Sequence, residues 1–166
     1  MLIAVIVTGC GAERIAPKEA IINGTNAFEG HYKNSAEYLR HYWHGREGND
    51  VNTDSSKITD IFGIPGIDES QIIHLSINDA KLSISADDNV PLLTVPCRDM
   101  GDRIEIDGDS KRAIYILVNI WNDKAVTLFL DGNGNLLIDK SEWGGGTMLI
   151  FASGVFHNWQ YICRRK

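Results

Sequence analysis

The chain has 166 residues, a length that fits one domain with a full hydrophobic core and is short for two. Its hydrophobic fraction of 43% and charged fraction of 23% are typical of a globular protein. A net charge of −6 disfavours binding to nucleic acid, so we predict no such partner. The one basic cluster, Arg164-Arg165-Lys166, is interpreted as a solvated tail.

The first residues have the layout of an export signal. Residues 1–7 are an apolar run too short to span a bilayer as a helix, and small residues follow it. The sequence Val7-Thr8-Gly9-Cys10 resembles the bacterial lipobox, although the basic residues that normally precede the apolar run are missing and would require a start codon further upstream. The resemblance implies that residues 1–10 are a signal segment, that Cys10 carries a lipid, and that the protein is a lipid-anchored lipoprotein of the bacterial cell envelope, facing the periplasm.

The alternative is that residues 2–7 form a buried strand that opens a nucleotide-binding turn at Thr8-Gly9-Cys10-Gly11. Such a turn requires a helix directly after it, followed by further alternation of strands and helices. Pro17 interrupts the next polar segment instead, and the chain downstream has the pattern of strands. We therefore favour the lipobox, with residues 11–25 as a tether between the lipid and a single β-rich domain at residues 26–166.

The domain begins with the alternating sequence Phe28-Glu29-Gly30-His31-Tyr32. A glycine inside a strand indicates a bend or a close approach of another backbone. An apolar residue, a glycine and an aromatic residue at these spacings resemble the opening strand of lipocalin-like barrels, in which an aromatic side chain plugs one end. The resemblance implies a lipocalin-like barrel for residues 28–161.

Residues 35–44 fit a short helix. Asn34 and Glu37 have the spacing of a capping box, and Gly45 is a common helix stop. His41 and His44 would bind one metal from that helix, but no third ligand has a recognisable spacing, so we interpret them as its polar flank. The aromatic face of the helix would consist of Tyr38, Leu39, Tyr42 and Trp43.

Two irregular stretches follow. Residues 45–57 are rich in Gly, Asn, Asp, Ser and Thr, which predicts a surface loop. Residues 58–67 contain apolar residues without a regular period, together with Pro65 and Gly66. This composition predicts a helical turn and then a loop that covers one end of the sheet.

From residue 72 onward, apolar side chains alternate with polar ones, which is the period of half-buried strands. Turns are predicted at residues 78–79, 87–89 and 108–109, and the polar residues 122–124 separate two further apolar runs. Strands joined by two to five residues are antiparallel neighbours. About nine or ten short strands leave long exposed edges unless the sheet curls, so we predict an up-and-down meander that closes into a lipocalin-like barrel.

The end of the chain carries a long apolar run and a cysteine. Residues 148–156 are nearly all apolar, which predicts one strand covered on both faces. Cys97 and Cys163 each stand at the end of a predicted strand, on what we expect to be inward faces. If Cys10 is lipidated, these two remain as a pair, and in an oxidising periplasm we predict a disulfide worth on the order of 4 kcal/mol.

Residues 131–142 can be aligned with an EF-hand calcium loop, which would place oxygen ligands at loop positions 1, 3, 5, 9 and 12. However, Leu136 replaces the glycine of the sharp turn, and Gly144-Gly145-Gly146 interrupts any following helix. A β-hairpin with Asp-Gly-Asn-Gly at its tip explains the same residues and is the preferred interpretation. In the calcium alternative, the metal ligands are Asp131, Asn133, Asn135, Asp139 and Glu142.

No catalytic motif is evident in the sequence. Ser153-Gly154 lacks the frame of a nucleophile elbow, and a histidine within a strand, such as His74, is expected to be a surface or core residue. We predict a protein that is not an enzyme and that uses no cofactor. The histidines, none at a motif spacing, are His31, His41, His44, His74 and His157.

The chain resembles the many small bacterial lipoproteins of uncharacterised function, and we predict a binding module for a small apolar ligand or an envelope protein. An inhibitor or structural adaptor of an envelope enzyme, acting through residues 45–57, is the second hypothesis, and a calcium-binding module is the third. The side chains predicted to line or plug the cavity, if they are not plain core, are Tyr32, Tyr38, Trp43, Tyr115, Trp121 and Trp159.

Overall fold

The computed structural model describes residues 17–21, 27–44, 46–48, 56–86, 90–114, 118–148 and 151–166. For residues 109, 112, 114, 118, 119, 121, 147, 148, 151 and 152 it describes the backbone alone. The predicted signal segment with Cys10, the predicted turn at residues 87–89 and the side chain of Tyr115 lie outside the described residues.

The described residues form strands and one short helix, whose bounds are β1 Ala20–Ile21, β2 Gly30–Trp43, β3 Arg46–Glu47, α1 Ile58–Ile61, β4 Ile72–Asn78, β5 Lys81–Ser85, β6 Pro91–Pro96, β7 Arg98–Asp99, β8 Ile104–Ile114, β9 Val118–Asp131, β10 Leu136–Met148 and β11 Phe151–Arg165.

These strands form one sheet in the order β6-β5-β4-β2-β11-β10-β9-β8-β7, with β1 beside β9 and β3 beside β2. All of the pairs are antiparallel. Neighbours in the sheet are mostly neighbours in the chain, and the exception brings the long strand β2 beside β11 at the other end of the chain. The predicted antiparallel up-and-down sheet is therefore confirmed.

The sheet curls around one hydrophobic core. Side chains from both ends of the strand order, including Leu82 and Ile84 of β5 and Ile104 of β8, belong to the same buried cluster. The two outermost strands, β6 and β7, are consecutive stretches of chain joined by Cys97. No hydrogen-bonded ladder joins β6 to β8 within the described part of the chain, so the sheet is open along this line, which we call the seam.

The helix predicted at residues 35–44 is wrong, because these residues belong to the 14-residue strand β2. Strand β11 pairs with residues 32–43 along one edge of β2, and the other edge pairs with β4 at residues 30–33 and with β3 at Tyr42 and Trp43. This pairing outweighs the local helix signal, since tertiary contacts commonly override propensity. Burial alternates along the strand, and the side chains that it buries completely are Tyr32, Asn34 and Ala36.

The helical turn and covering loop predicted at residues 58–67 are confirmed by α1 and the turns after it. Ile58 is completely buried in the main core. Asn34, which the sequence suggested as a helix cap, instead holds α1 against β2. Its Oδ1 accepts a hydrogen bond from the backbone N–H of Thr59 at 3.1 Å, and its Nδ2 donates to the carbonyl of Asp68 at 3.0 Å.

The other end of the core is closed by Tyr32 and Arg165. Tyr32 is completely buried and donates a hydrogen bond to the carbonyl of Phe28 at 2.9 Å. The Arg165 guanidinium lies 5.8 Å from the Tyr32 ring centroid and donates to the carbonyls of Ala27 and Glu29 at 3.1 and 2.6 Å. Residues 164–166 are exposed, as the predicted solvated tail requires, but they are not a free tail, because strand β11 continues to Arg165.

Three predicted features of the long strands are also wrong. The turn predicted at residues 108–109 is instead a β-bulge inside β8, which runs from Ile104 to Ile114. The polar residues 122–124 do not separate two strands, because β9 runs through them without interruption. Their side chains are tolerated there since they contact partners across the strands, as Lys124 does with Glu142. The apolar residues 148–156 do not form one strand, because Met148 ends β10 and is paired with Phe151, which begins β11.

Cys97 and Cys163 are buried free thiols, so the predicted disulfide is not formed. Cys163 belongs to β11, whereas Cys97 joins β6 to β7. Three strands separate β11 from β6 along the sheet, and three others separate it from β7. The two cysteines therefore lie on opposite walls of the curled sheet, which does not allow the short Cα separation of a disulfide.

A smaller apolar cluster on the outer face of the sheet contains Phe129, Leu137 and Ile162, and Ala20 packs against it. Ala20 belongs to β1, which lies within the stretch predicted to be a tether. The preceding residue, Glu19, forms an ion pair with Arg40 of β2. Residues 17–21 are thus packed onto the sheet. In the described residues, no helix has the length and apolar character needed to cross a membrane.

Candidate functional site

A cavity of about 480 Å³ lies along the seam. Its walls are the end of α1 and the two residues after it (60–63), Leu93 and Val95 of β6, residues 106–108 of β8, residues 124–126 of β9 and Lys140 of β10. The cavity therefore exists because β6 and β8 approach each other without pairing, and because α1 covers the space between them.

The larger part of the wall is apolar. The apolar side chains that face the cavity are Phe62, directly after α1, Leu93 and Val95 of β6, Ile106 of β8 and Val126 of β9. All of them also pack into or against the main core, so their positions are set by the fold. Concave apolar surfaces with a few polar groups are the usual form of small-molecule sites.

Gly108 explains why the sheet is irregular beside the cavity. The register between β8 and β9 shifts between Asp107 and Ser110, which is a β-bulge. A β-carbon at Gly108 would lie 2.8 Å from the backbone oxygen of Lys124, closer than real contacts allow. Glycine at this position therefore lets β8 approach β9 at the rim of the cavity.

Two lysines supply the cationic part of the wall. The ammonium groups of Lys124 and Lys140 both contact Oε1 of Glu142, at 3.0 and 3.2 Å. Burial would raise the pKa of Glu142, but the hydrogen bonds from the two lysines outweigh it and hold the pKa below its ordinary value. The three side chains together carry one positive charge in excess.

The acidic residues of the wall have cationic partners of their own. Asp60 lies 3.4 Å from the ammonium group of Lys57, and Asp107 lies 2.8 Å from the guanidinium of Arg98. Each of these two carboxylates thus contacts a cation outside the lysine pair, and Arg98 also contacts Glu105 at 3.5 Å.

An aromatic cluster adjoins the lysines on the inner face of the sheet, the face that carries the main core. His41 Nε2 and His157 Nδ1 are 2.9 Å apart, and both imidazoles are stacked on the Trp159 ring with centroid distances of 5.2 Å. Trp159 lies directly across from Lys140, whose ammonium group is 5.6 Å from its ring centroid. This cation–π contact holds the Lys140 side chain beside the cavity.

Of the aromatic residues predicted to line a cavity, the four whose side chains the structure describes are not wall residues of the seam cavity. Tyr32 closes the opposite end of the core, Tyr38 packs edge-on against Tyr161 at 6.1 Å, and Trp43 is 55% exposed. Trp159 lies next to the cavity, since its ring contacts the ammonium group of the wall residue Lys140. Tyr115 and the side chain of Trp121 lie outside the described residues.

The sequence did contain a signal for the true wall. Lys124 continues the phase of Val126 and Leu128, and Lys140 and Glu142 continue the phase of Ile138, all on the inner face. Charged residues at positions where the alternation expects apolar ones indicate that the inner face is not fully packed there. Leu93 and Phe62 carried no comparable signal, because their proximity to the lysines depends on the curl of the sheet.

The metal ligands of the calcium alternative do not converge. Asp131 ends β9 and accepts hydrogen bonds at 2.8 Å from the backbone N–H groups of Asn133 and Asn135 and from the Asn135 amide. Glu142 is bound to the two lysines, and Asp139 and Glu142 belong to the extended strand β10. The hairpin interpretation is the one that the structure contains.

His41 and His44 do not lie together on a helix as the considered metal-ligand pair requires, because His41 faces His157 and β2 ends before His44. In the described part of the chain, no group of three or more His, Cys, Asp or Glu side chains is placed to hold a metal ion. Residues 45–57, the contact segment of the adaptor hypothesis, are described at 46–48 and 56–57 alone.

Comparisons with models of known protein families, with curated proteins and with solved structures found no match. The site is therefore interpreted from its own chemistry: an apolar cleft, closed by a short helix on one side and bordered by two ammonium groups on the other.

Proposed function

We propose that this chain is a binding protein that takes up a small, largely apolar molecule in the seam cavity. The observation that carries the proposal is the cavity itself, because its volume of about 480 Å³ is in the range of small-molecule sites and its walls are mostly apolar. The helix α1 and the loop after it are the natural cover, and opening them would admit the ligand.

We further propose that the curled sheet acts as a lipocalin-like barrel. If β6 and β7 are counted as one bent strand, the positions around the sheet are β2, β4, β5, β6/β7, β8, β9, β10 and β11, which makes eight. Eight strands are enough to enclose a core or one small ligand. The closure of one end by Tyr32 and Arg165 supports the same view, since a plugged end leaves the helix end for entry.

We propose that the protein works as a lipoprotein of the bacterial envelope, anchored through Cys10. The support is the sequence Val7-Thr8-Gly9-Cys10 and its resemblance to a lipobox. In cells given an alkyne-labelled fatty acid, the wild-type chain should take up label in the membrane fraction, and Cys10→Ser should not. Equal labelling of the two chains would refute the anchor without touching the binding proposal.

The binding proposal is tested with the neutral fluorophore N-phenyl-1-naphthylamine. Saturable uptake by the purified full chain is expected, because the dye fits an apolar cavity. Val126→Trp and Leu93→Trp fill the cavity from opposite walls and should each weaken uptake about tenfold or more. Val155→Trp is the matched control, since Val155 is a strand residue with 41% exposure away from the cavity wall.

Circular dichroism and a urea transition identify which of these variants are folded. The proposal fails if the wild-type chain shows no saturable uptake, or if a folded Val126→Trp or Leu93→Trp variant binds the dye as well as Val155→Trp does.

A further inference from the structure

We infer that the molecule bound in the seam cavity carries an anionic group, which is held by Lys124 and Lys140 in the place that Glu142 occupies in the free protein. The inference rests on the proposed binding function and specifies the chemical class of the ligand: an apolar body with a single carboxylate or similar anion.

The first support is the charge balance at the wall. One carboxylate oxygen of Glu142 receives both ammonium groups, at 3.0 and 3.2 Å, so two positive charges share one negative charge. Each ammonium group has three hydrogen-bond donors. A single shared oxygen leaves donors on both lysines for a second acceptor. The neighbouring carboxylates of Asp60 and Asp107 are engaged by Lys57 and Arg98.

The second support is position. Lys124 and Lys140 are both part of the cavity wall, together with Val126 and Ile106. Val126 is paired with Lys140 on one side and with Ile106 on the other, and it follows Lys124 by two residues on β9. A ligand whose apolar part lies on Val126, Ile106 and Leu93 therefore brings a polar end directly to the lysines. An anion there gains charge-assisted hydrogen bonds, which are roughly twice as strong as neutral ones.

The third support is that Glu142 is replaceable. Its side chain is 27% exposed, and those of Lys124 and Lys140 are 47% and 32% exposed, so none is locked inside the core. Moving Glu142 aside returns its carboxylate to water rather than burying it. Lys140 is kept in place by Trp159, so the ammonium group stays at the wall when Glu142 leaves. Glu142 thus acts as a built-in competitor of the ligand anion.

Two fluorophores with the same aromatic framework test the inference. N-phenyl-1-naphthylamine is neutral, and 8-anilinonaphthalene-1-sulfonate adds one sulfonate. The double variant Lys124→Gln/Lys140→Gln should bind the sulfonate about tenfold more weakly while its affinity for the neutral dye changes by less than about twofold. Lys33→Gln is the control. Lys33 is an exposed lysine at the end of β2 away from His41 and the cavity, so its substitution should leave both affinities unchanged.

Glu142→Gln makes the complementary prediction. It removes the competing carboxylate and keeps the side-chain size, so the affinity for the sulfonate should rise severalfold and that for the neutral dye should not.

Displacement of the bound sulfonate by decanoate indicates an aliphatic acid as the natural class, and displacement by 1-naphthoate an aromatic one.

The outcomes separate the two proposals. If neither dye binds the wild-type chain, the binding function itself is wrong. If the neutral dye binds but the lysine variants and Glu142→Gln leave the sulfonate affinity unchanged, the cavity is a binding site and the anionic class is wrong. The same holds if Lys33→Gln weakens sulfonate binding as much as the double variant, or if neither acid displaces the dye.

Discussion

Asn34 is a completely buried polar side chain in strand β2, and its amide makes three contacts with the segment that covers the sheet. Its Oδ1 accepts from the Thr59 backbone N–H, and its Nδ2 donates to Thr59 Oγ1 and to the Asp68 carbonyl. A buried donor or acceptor that loses its partner is destabilising by about 1 to 3 kcal/mol. One residue therefore joins α1 to the core and positions the cover of the cavity.

Asn34→Ala should lower the free energy of unfolding by about 2 to 4 kcal/mol, because it leaves the N–H of the buried residue Thr59 without this partner and removes the bond to the Asp68 carbonyl. The measurement is urea denaturation followed by circular dichroism. Ser35→Ala is the matched control, since Ser35 is the next residue and its hydroxyl bonds Glu69 at the surface; a change within about 0.5 kcal/mol is expected. Equal transitions for the two variants would contradict the role given to Asn34.

Lys124, Lys140 and Glu142 are a second case of polar side chains on the inner face of the sheet. Each stands on the inner face of a strand, at a position that the alternating pattern reserves for apolar side chains. They are tolerated because the three groups pair with one another and keep 27% to 47% of their side chains exposed. The two lysines thereby become part of the cavity wall.

At the scale of the elements, the end of β11 closes the core. The Arg165 guanidinium covers the Tyr32 ring and binds two carbonyls of the segment before β2, so the last strand secures the first long one. Burial raises the pKa of Tyr32, which Arg165 partly offsets, so the phenol stays neutral and keeps its hydrogen bond to Phe28.

Arg165→Lys should lower the free energy of unfolding by about 1 to 2 kcal/mol, because an ammonium group lacks the planar fork that reaches both carbonyls and covers the ring. Arg164→Lys is the control: Arg164 is the adjacent residue and pairs with the exposed Glu37, so its replacement should change stability by less than about 0.5 kcal/mol. Thermal or urea unfolding compares the two. A larger loss for Arg164→Lys would show that the end of β11 is not what fastens β2.

At the scale of the whole molecule, the curl of the sheet separates the two cysteines that the sequence predicts as a pair. Cys97 and Cys163 both belong to the main core cluster, yet three strands lie between them in either direction around the sheet. Burial raises the pKa of both thiols, strongly for Cys163. Both groups are therefore neutral and shielded in the folded protein.

In a Cys10→Ser chain, a thiol reagent such as 5,5′-dithiobis(2-nitrobenzoate) should react slowly with the native protein and release two equivalents in urea without a reductant. The expected rate is low because both the thiolate population and the access are small. Absence of reactive thiols in urea until a reductant is added would show that the two cysteines are joined after all.

Local patterns in the sequence predicted a large part of this architecture. The period of two along β4, β5, β8, β9 and β10 identified strands, and the turns at residues 78–79 and after Asp131 made their flanking strands antiparallel neighbours. The turns predicted at residues 108–109 and 122–124 lie inside β8 and β9 instead, because polar residues on the exposed positions of a long strand have the same composition as a turn. The turn at Asp79 and the hairpin after Asp131 follow from local turn chemistry. The same local rules failed for residues 35–44, where a capping pattern was overruled by pairing with β11 along the segment and with β3 at its end.

The sequence by itself thus determined that the chain forms an antiparallel meander with a helical cover, because side-chain alternation and turn residues act over a few positions. Only the tertiary structure decided where the sheet stays open, that the two thiols lie apart, and that Leu93 meets Val126 and the lysines in one cavity. Those outcomes depend on how far the sheet curls, which is a sum of small twists and bulges over all of its strands and is not written in any one segment.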